Sequence, residues 1–415
     1  MMRRFLSIAW ILCVFVPAAA AGATRDDNWR LCSEGDADVR LAACSSIIQS
    51  GLEDKQNLSI AFYNRALASA EKRDLDRAVR DFGDAIRLNP NFVEAFNGRG
   101  NVYYDAGDLD HAIQDYGEAI RLKPNFAGAY YNRGSAYADK GDLDRALGDY
   151  DQALKLDPGF VDALVSRGIA YVERGAFDRA IEDYDRAIKL DPEFVRAFNN
   201  RGNAYSGKGD FERAIRDYDE AIRLAPNYAE AFYNRGNANF AKGDYHGSAR
   251  DFGQAFKLVP TDVTALHSRG FANFMAGKVG DAESDFKQLV DLRGDAYAYG
   301  VLWLHVARAR LAHSDSEELA NNASVLDLTR WPGPMIAYFL GQGGVDALNA
   351  KAAMGDDETK TRQRCEAMFL LAEDALTRHK TDSAEASFRS AREICPAGFL
   401  EYSAAASELQ RMGKL

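Results

Sequence analysis

Apolar, small and polar positions recur along this chain with a period of 34 residues. Pro90, Pro124, Pro158, Pro192, Pro226 and Pro260 mark the period. One column between them carries Ala66, then Gly100, Gly134, Gly168, Gly202, Gly236 and Gly270. A second runs Ala78, Ala112, Ala146, Ala180, Ala214, Ser248 and Ala282. A third holds a ring at Phe82, Tyr116, Tyr150, Tyr184, Tyr218, Phe252 and Phe286, and a fourth runs from Ala85 to Ala255 and then Leu289. A fixed period of this length predicts stacked supersecondary units, none of which buries its apolar face alone.

Residues 93–126 serve as the type unit. Phe96, Gly100 and Tyr103 share one face at the i, i+4, i+7 spacing, which predicts a helix from Val93 to Ala106. Gly107-Asp108 ends it, since glycine accepts the left-handed conformation that helix ends prefer. A second helix is expected from Asp110 to Leu122, with Ala112, Tyr116, Ala119 and Ile120 turned inward. Pro124 closes the unit. Seven such pairs can be marked from Ser59 to Ala296, the last with Gly294 in place of the proline. The columns of Gly, Tyr, Ala, Tyr/Phe, Ala and Pro resemble the tetratricopeptide repeat. That resemblance implies an all-α, right-handed superhelical solenoid with helical caps.

Two columns depart from the family pattern together. The position before the glycine, usually Leu, is Arg65, Arg99, Arg133, Arg167, Arg201, Arg235 and Arg269. Asp81, Asp115, Asp149, Asp183, Asp217, Asp251 and Asp285 fill a column usually held by a large apolar residue. The hairpin bends midway between Arg99 and Asp115, so the two stand level across antiparallel helices. An internal Arg–Asp ladder is expected, arginine being the usual choice for partly buried ion pairs.

The chain of 415 residues is 47% hydrophobic and 27% charged, the composition of a folded protein. Its net charge of −11 and the alternation of acidic and basic side chains argue against a nucleic-acid partner. Arg3-Arg4, the apolar run Phe5 to Val16 and the small residues Ala18 to Ala23 read as a signal peptide over 1–23, cleaved after Ala21 or Ala23. The run is too short to span a bilayer, and Leu12 before Cys13 does not suit lipid attachment. An exported, soluble chain without membrane insertion is expected, periplasmic or secreted. Four cysteines remain after cleavage. Cys32 and Cys44 flank a short hairpin turn, and Cys365 and Cys395 stand at the open ends of another helix pair, so two local disulfides are expected.

Residues 24–58 read as an N-terminal helical cap, 59–296 as the seven units, and 297–364 as a helical region around the Trp331-Pro332 turn. Register returns over 365–415: Ala372, Ala384, Phe388, Ala391 and Pro396 hold the earlier offsets, which gives an eighth repeat and a closing helix. The Trp331-Pro332 turn, the run Tyr338 to Gly341, Cys365-Glu366-Ala367 and Phe399 to Tyr402 resemble the NlpI-like exported tetratricopeptide proteins of Gram-negative bacteria. That resemblance implies an adaptor that docks an envelope protease and presents cell-wall hydrolases to it. The chain lacks that family's lipid-attachment cysteine and has more repeats.

Catalytic signatures are missing from the sequence: the six histidines form no HExxH, and there is no Gly-x-Ser-x-Gly or Walker loop. No cofactor or metal is expected, and the chain is read as a non-enzymatic protein that binds proteins or extended peptides. The first helix of each unit would line the inner wall of the solenoid. The binding residues on it are Asn97, Asn101, Tyr104, Tyr131, Ser135, Asn199, Asn203, Tyr233, Asn237 and Phe240. Asparagine amides pair with an extended backbone, and aromatic rings add amphipathic contact area. The alternatives are a self-assembling scaffold, with the chain as a homo-oligomer, and a hydrolase site in 297–364 using His305 or His313.

Overall fold

The computed structural model describes residues 24–294, 296–396 and 399–414; the expected signal peptide lies outside them. The described residues form helices and no strand, in two compact units, one ending at Ala170 and the other beginning at Tyr171. The first unit holds α1 (Arg25–Glu34), α2 (Ala37–Ser50), α3 (Lys55–Glu71), α4 (Leu75–Leu88), α5 (Val93–Asp105), α6 (Leu109–Leu122), α7 (Ala127–Asp139) and α8 (Leu143–Leu156). Helix α9 (Val161–Glu173) carries the boundary. The repeats of the second unit continue with α10 (Phe177–Leu190), α11 (Val195–Gly207), α12 (Phe211–Leu224), α13 (Ala229–Ala241), α14 (Tyr245–Leu258), α15 (Val263–Met275) and α16 (Val279–Leu292). It ends with α17 (Tyr297–Arg310), α18 (Ser316–Ala323), α19 (Gly333–Phe339), α20 (Val345–Ala352), α21 (Asp357–Thr377), α22 (Thr381–Ile394) and α23 (Leu400–Arg411).

The hairpin turns follow from two residues. Gly107, Gly141, Gly175, Gly209, Gly243 and Gly277 take positive φ of 71–83° where the first helix of each pair stops. After Gly107, Gly141, Gly209 and Gly243 the next residue caps the second helix, Asp108, Asp142, Asp210 and Asp244 each accepting a backbone N–H from the first turn. Asp74 does the same after Arg73, which takes the positive φ in the first pair.

At Gly100, Gly134, Gly202, Gly236 and Gly270 the ring of the second helix lies directly on the glycine of the first. A Cβ added at Gly100 would come 2.7 Å from the Tyr116 ring, and one at Gly202 would come 2.6 Å from the Tyr218 ring. Both rings are buried. The glycine column is therefore a close-packing requirement, not only spacing between helices. Gly202→Ala is expected to cost about 1–3 kcal/mol through overpacking, read as a lowered midpoint of urea unfolding with the unfolding slope unchanged.

The Arg–Asp ladder is present. In the first unit Arg65, Arg99 and Arg133 each donate twice to Asp81, Asp115 and Asp149 at 2.7–2.8 Å. In the second, Arg201, Arg235 and Arg269 donate likewise to Asp217, Asp251 and Asp285 at 2.5–3.1 Å. Arg167 and Asp183 fall in different units. Three arginines also reach an aspartate one repeat earlier: Arg167 to Asp151, Arg201 to Asp185 and Arg235 to Asp219. Where that earlier position is glycine, as at Gly83 and Gly117, no carboxylate stands there for the guanidinium to take as a second partner.

Both ends are stapled, Cys32 to Cys44 and Cys365 to Cys395, and all four sulfurs are buried. The eighth repeat, α21 and α22, has Leu371 and Ser387 in the ladder columns and so lacks the ion pair. A different charged cluster holds the end of the second unit. Arg310 on α17 meets Glu373 on α21 at 2.6 Å and Glu408 on α23 at 3.2 Å. Arg411 joins Glu408 and donates to the Met275 carbonyl of α15. Four helices are tied at one buried point.

Candidate functional site

The residues expected to form a binding wall divide into three kinds. Some are satisfied within the fold. In the first unit, Asn101 Oδ1 accepts from the buried Tyr116 hydroxyl at 2.8 Å and from Asn132 Nδ2 at 3.1 Å, and the same amide also donates to Asn97. Tyr104 donates to Asp139; the Tyr131 ring packs 4.9 Å from Phe160, and its hydroxyl has no partner among the described residues. Ser135 Oγ faces the Tyr150 hydroxyl at 3.4 Å. In the second unit, Asn203 accepts from Tyr218 at 2.8 Å. These asparagines give the tyrosine hydroxyls beneath them the partner that a buried phenol needs.

Two others are buried, against the expectation that they face a ligand. Phe240 is 1% exposed because its ring packs 4.8 Å from Tyr245 and 5.5 Å from Phe271. Asn199 is fully buried, donating to Glu230 and accepting from Asn234. Neither belongs to a free surface.

Tyr233 and Asn237 on α13 differ. Both are half-buried, and among the described residues neither side chain has a hydrogen-bond partner. The ring beneath Asn237 is Phe252, where Asn101 and Asn203 have Tyr116 and Tyr218 beneath them, so no phenol occupies its amide. The Tyr233 ring rests 5.3 Å from Phe252 with its hydroxyl unpaired among the described residues.

One 34-residue step from Tyr233 and Asn237 stand His267 and Phe271 on α15, which sequence reasoning stopped short of. They open onto a cavity of about 270 Å³ whose apolar wall includes Phe271, Leu302, Trp303, Met335 and Phe369. Its polar edge is Thr264, His267, Tyr299, Glu366 and Glu401. The Glu366 carboxylate accepts from Trp331 Nε1 at 2.6 Å and Tyr299 at 3.0 Å. The Trp331-Pro332 segment thus holds a wall of this cavity in place. Burial pushes the Glu366 carboxyl up, and burial together with Glu366 pushes Glu401 up to about 7. Burial lowers His267 to about 4, so its imidazole is neutral at physiological pH.

The histidines proposed for hydrolysis serve elsewhere. His305 Nδ1 pairs with Asp315 at 2.9 Å and its ring packs on Phe339, while His313 lies 3.4 Å from Glu283. Among the described residues no His, Cys, Asp and Glu group is arranged to hold a metal ion, and no helix is long and apolar enough to cross a membrane.

The repeats have counterparts among known proteins. A family model described as TPR repeat matches residues 100–141, 168–209 and 207–243. Models described as tetratricopeptide repeat match 127–160 and 233–300. No curated protein matches the chain. Among solved structures it is similar to MamA, at 30% identity over 40% of this chain and 96% of that one, with a TM-score of 0.37. It is also similar to YrrB, described as a TPR protein with an unusual peptide-binding site, at 25% identity, 46% and 96% coverage and a TM-score of 0.39. A tetratricopeptide repeat protein from Parabacteroides merdae aligns at 21% identity over 60% of this chain and 98% of that one, with a TM-score of 0.48.

Proposed function

The chain belongs to the tetratricopeptide repeat family, and from that premise we propose that it is a docking scaffold, without chemistry of its own, for a protein or extended peptide. The observation that carries this reading is the change in the first-helix columns of the second unit. Asn97, Asn101, Ser135, Asn199 and Asn203 of those columns meet hydrogen-bond partners inside the fold, whereas Tyr233 and Asn237 are unpaired among the described residues and His267 and Phe271 lead into the cavity. Unpaired amide and phenol groups one repeat step from an apolar recess are what an incoming extended segment can use for backbone pairing and side-chain burial.

Two disulfides favour an oxidising compartment over the cytosol. Together with the signal-like segment 1–23, they support export to the periplasm, where the chain would link an envelope protease to cell-wall hydrolases. The test is affinity capture from a Gram-negative envelope extract with the full-length protein and with Tyr233→Ala/Asn237→Ala. A protease or peptidoglycan hydrolase is expected on the parent and reduced about tenfold or more on the variant, because binding energy concentrates in few residues. Equal recovery on both, with helical content unchanged, would move the docking site away from α13.

A further inference from the structure

The cavity of the second unit has a polar edge on which two carboxyl groups and an imidazole stand together, with the Thr264 hydroxyl at its rim. Tyr299 spends its hydroxyl proton on Glu366. Glu401 has, apart from its own backbone amide, only Cys365 Sγ at 3.9 Å among the described residues, and a disulfide sulfur has no proton to give. His267 Nε2 is buried without a partner, its ring 5.7 Å from Tyr299. A neutral imidazole offers one acceptor nitrogen beside its one N–H, and each carboxylate, once ionised, only accepts. Two carboxyl groups are thus brought together beside apolar walls, and the cation whose field reaches both, Arg362, is exposed and paired with Glu358. Buried like charges of this kind are costly unless a cation joins them.

We propose that this cavity receives one lysine side chain from an extended segment of a partner protein, its ammonium held by Glu366, Glu401 and His267. The inference rests on the docking reading above and names what is docked. Three acceptors match the three N–H donors of an ammonium. The methylene stem lies along Phe271, Trp303 and Phe369, whose ring faces also attract a cation. Arginine fits less well. Its planar fork calls for a carboxylate free to accept two parallel bonds, and one oxygen of Glu366 is already held by Trp331 and Tyr299. A volume of about 270 Å³ suits a single long side chain, not a helix. The net charge of −11 favours a basic segment over an acidic one.

Panning a random peptide display library on the full-length protein, beside Glu366→Gln/Glu401→Gln and His267→Ala, tests this. Glutamine keeps an oxygen for Trp331 and Tyr299, so the wall is preserved while the charge is lost. The parent is expected to enrich peptides with lysine at one fixed position. Acetylation of that lysine should weaken binding about tenfold or more. The Gln variant should lose the lysine preference, and the Ala variant should weaken it. Enriched peptides with no basic residue at a fixed position, an equal taste for arginine, or a lysine preference that survives in the Gln variant would each overturn the assignment and leave the scaffold reading standing. If the parent enriches no peptide at all, the scaffold reading fails and this inference falls with it.

Discussion

Replacing Arg310 by methionine is expected to destabilise the second unit by about 3–5 kcal/mol, the largest effect of any single change outside the repeats. Arg310 stands between Glu373 and Glu408, whose side chains are 1% and 3% exposed. Burial, with Glu408 alongside, pushes the Glu373 carboxyl up, and Arg310 is the main charge holding it down. Methionine matches much of the stem volume but removes that charge, leaving two buried carboxyl groups facing each other. They must then take up a proton or draw water into the joint between α15, α17, α21 and α23. Trp303 and Trp331 belong to the same unit, so tryptophan fluorescence during urea unfolding reads the loss directly. The sign with pH follows from the raised carboxyl. A group that holds its proton more tightly when folded contributes most below its unfolded pKa, and its contribution falls as pH rises through the folded value. The Arg310→Met deficit should therefore grow from acid to neutral pH. A deficit independent of pH, or below about 1 kcal/mol, would mean that packing and not charge holds this joint.

What the sequence disclosed, and what it did not, follows from contact range. Arg99 and Asp115, Gly100 and Tyr116, and Cys32 and Cys44 lie within one hairpin, where helical period and one turn fix who meets whom. The cavity is different: its lining runs from Thr264 to Glu401, gathered from five helices with no common period. His267 and Phe271 were one repeat step from residues already singled out, yet only the tail folding over α15 gives that step a recess. Phe240 shows the converse. Its offset matches Tyr104, but Tyr245 and Phe271 offer it a buried apolar seat, and a side chain with no polar atom takes it. Asn199 was hidden in the same way, since the Glu230 and Asn234 that close over it come from the next repeat.

The Arg–Asp ladder invites a second large prediction, with a twist in the double variant. Arg133→Met alone should cost about 3 kcal/mol, because Asp149 is then left 9% exposed without its partner. Arg133 is the clean choice: the earlier position is Gly117, so no second carboxylate complicates the cycle, whereas Arg201 also holds Asp185. Adding Asp149→Leu should return stability to within about 1 kcal/mol of the parent. The ladder itself suggests why. Burial pushes the Asp217 carboxyl up even though Arg201 donates to it twice, so desolvation offsets much of the pairing energy. The eighth repeat, with Leu371 and Ser387 in these columns, stacks its two helices without the pair. The ladder then acts less as a source of stability than as a register device: in nearly identical repeats, a misaligned hairpin would bury an arginine or an aspartate alone. A double variant as unstable as Arg133→Met would sink that account and make the ion pair a net contributor in its own right.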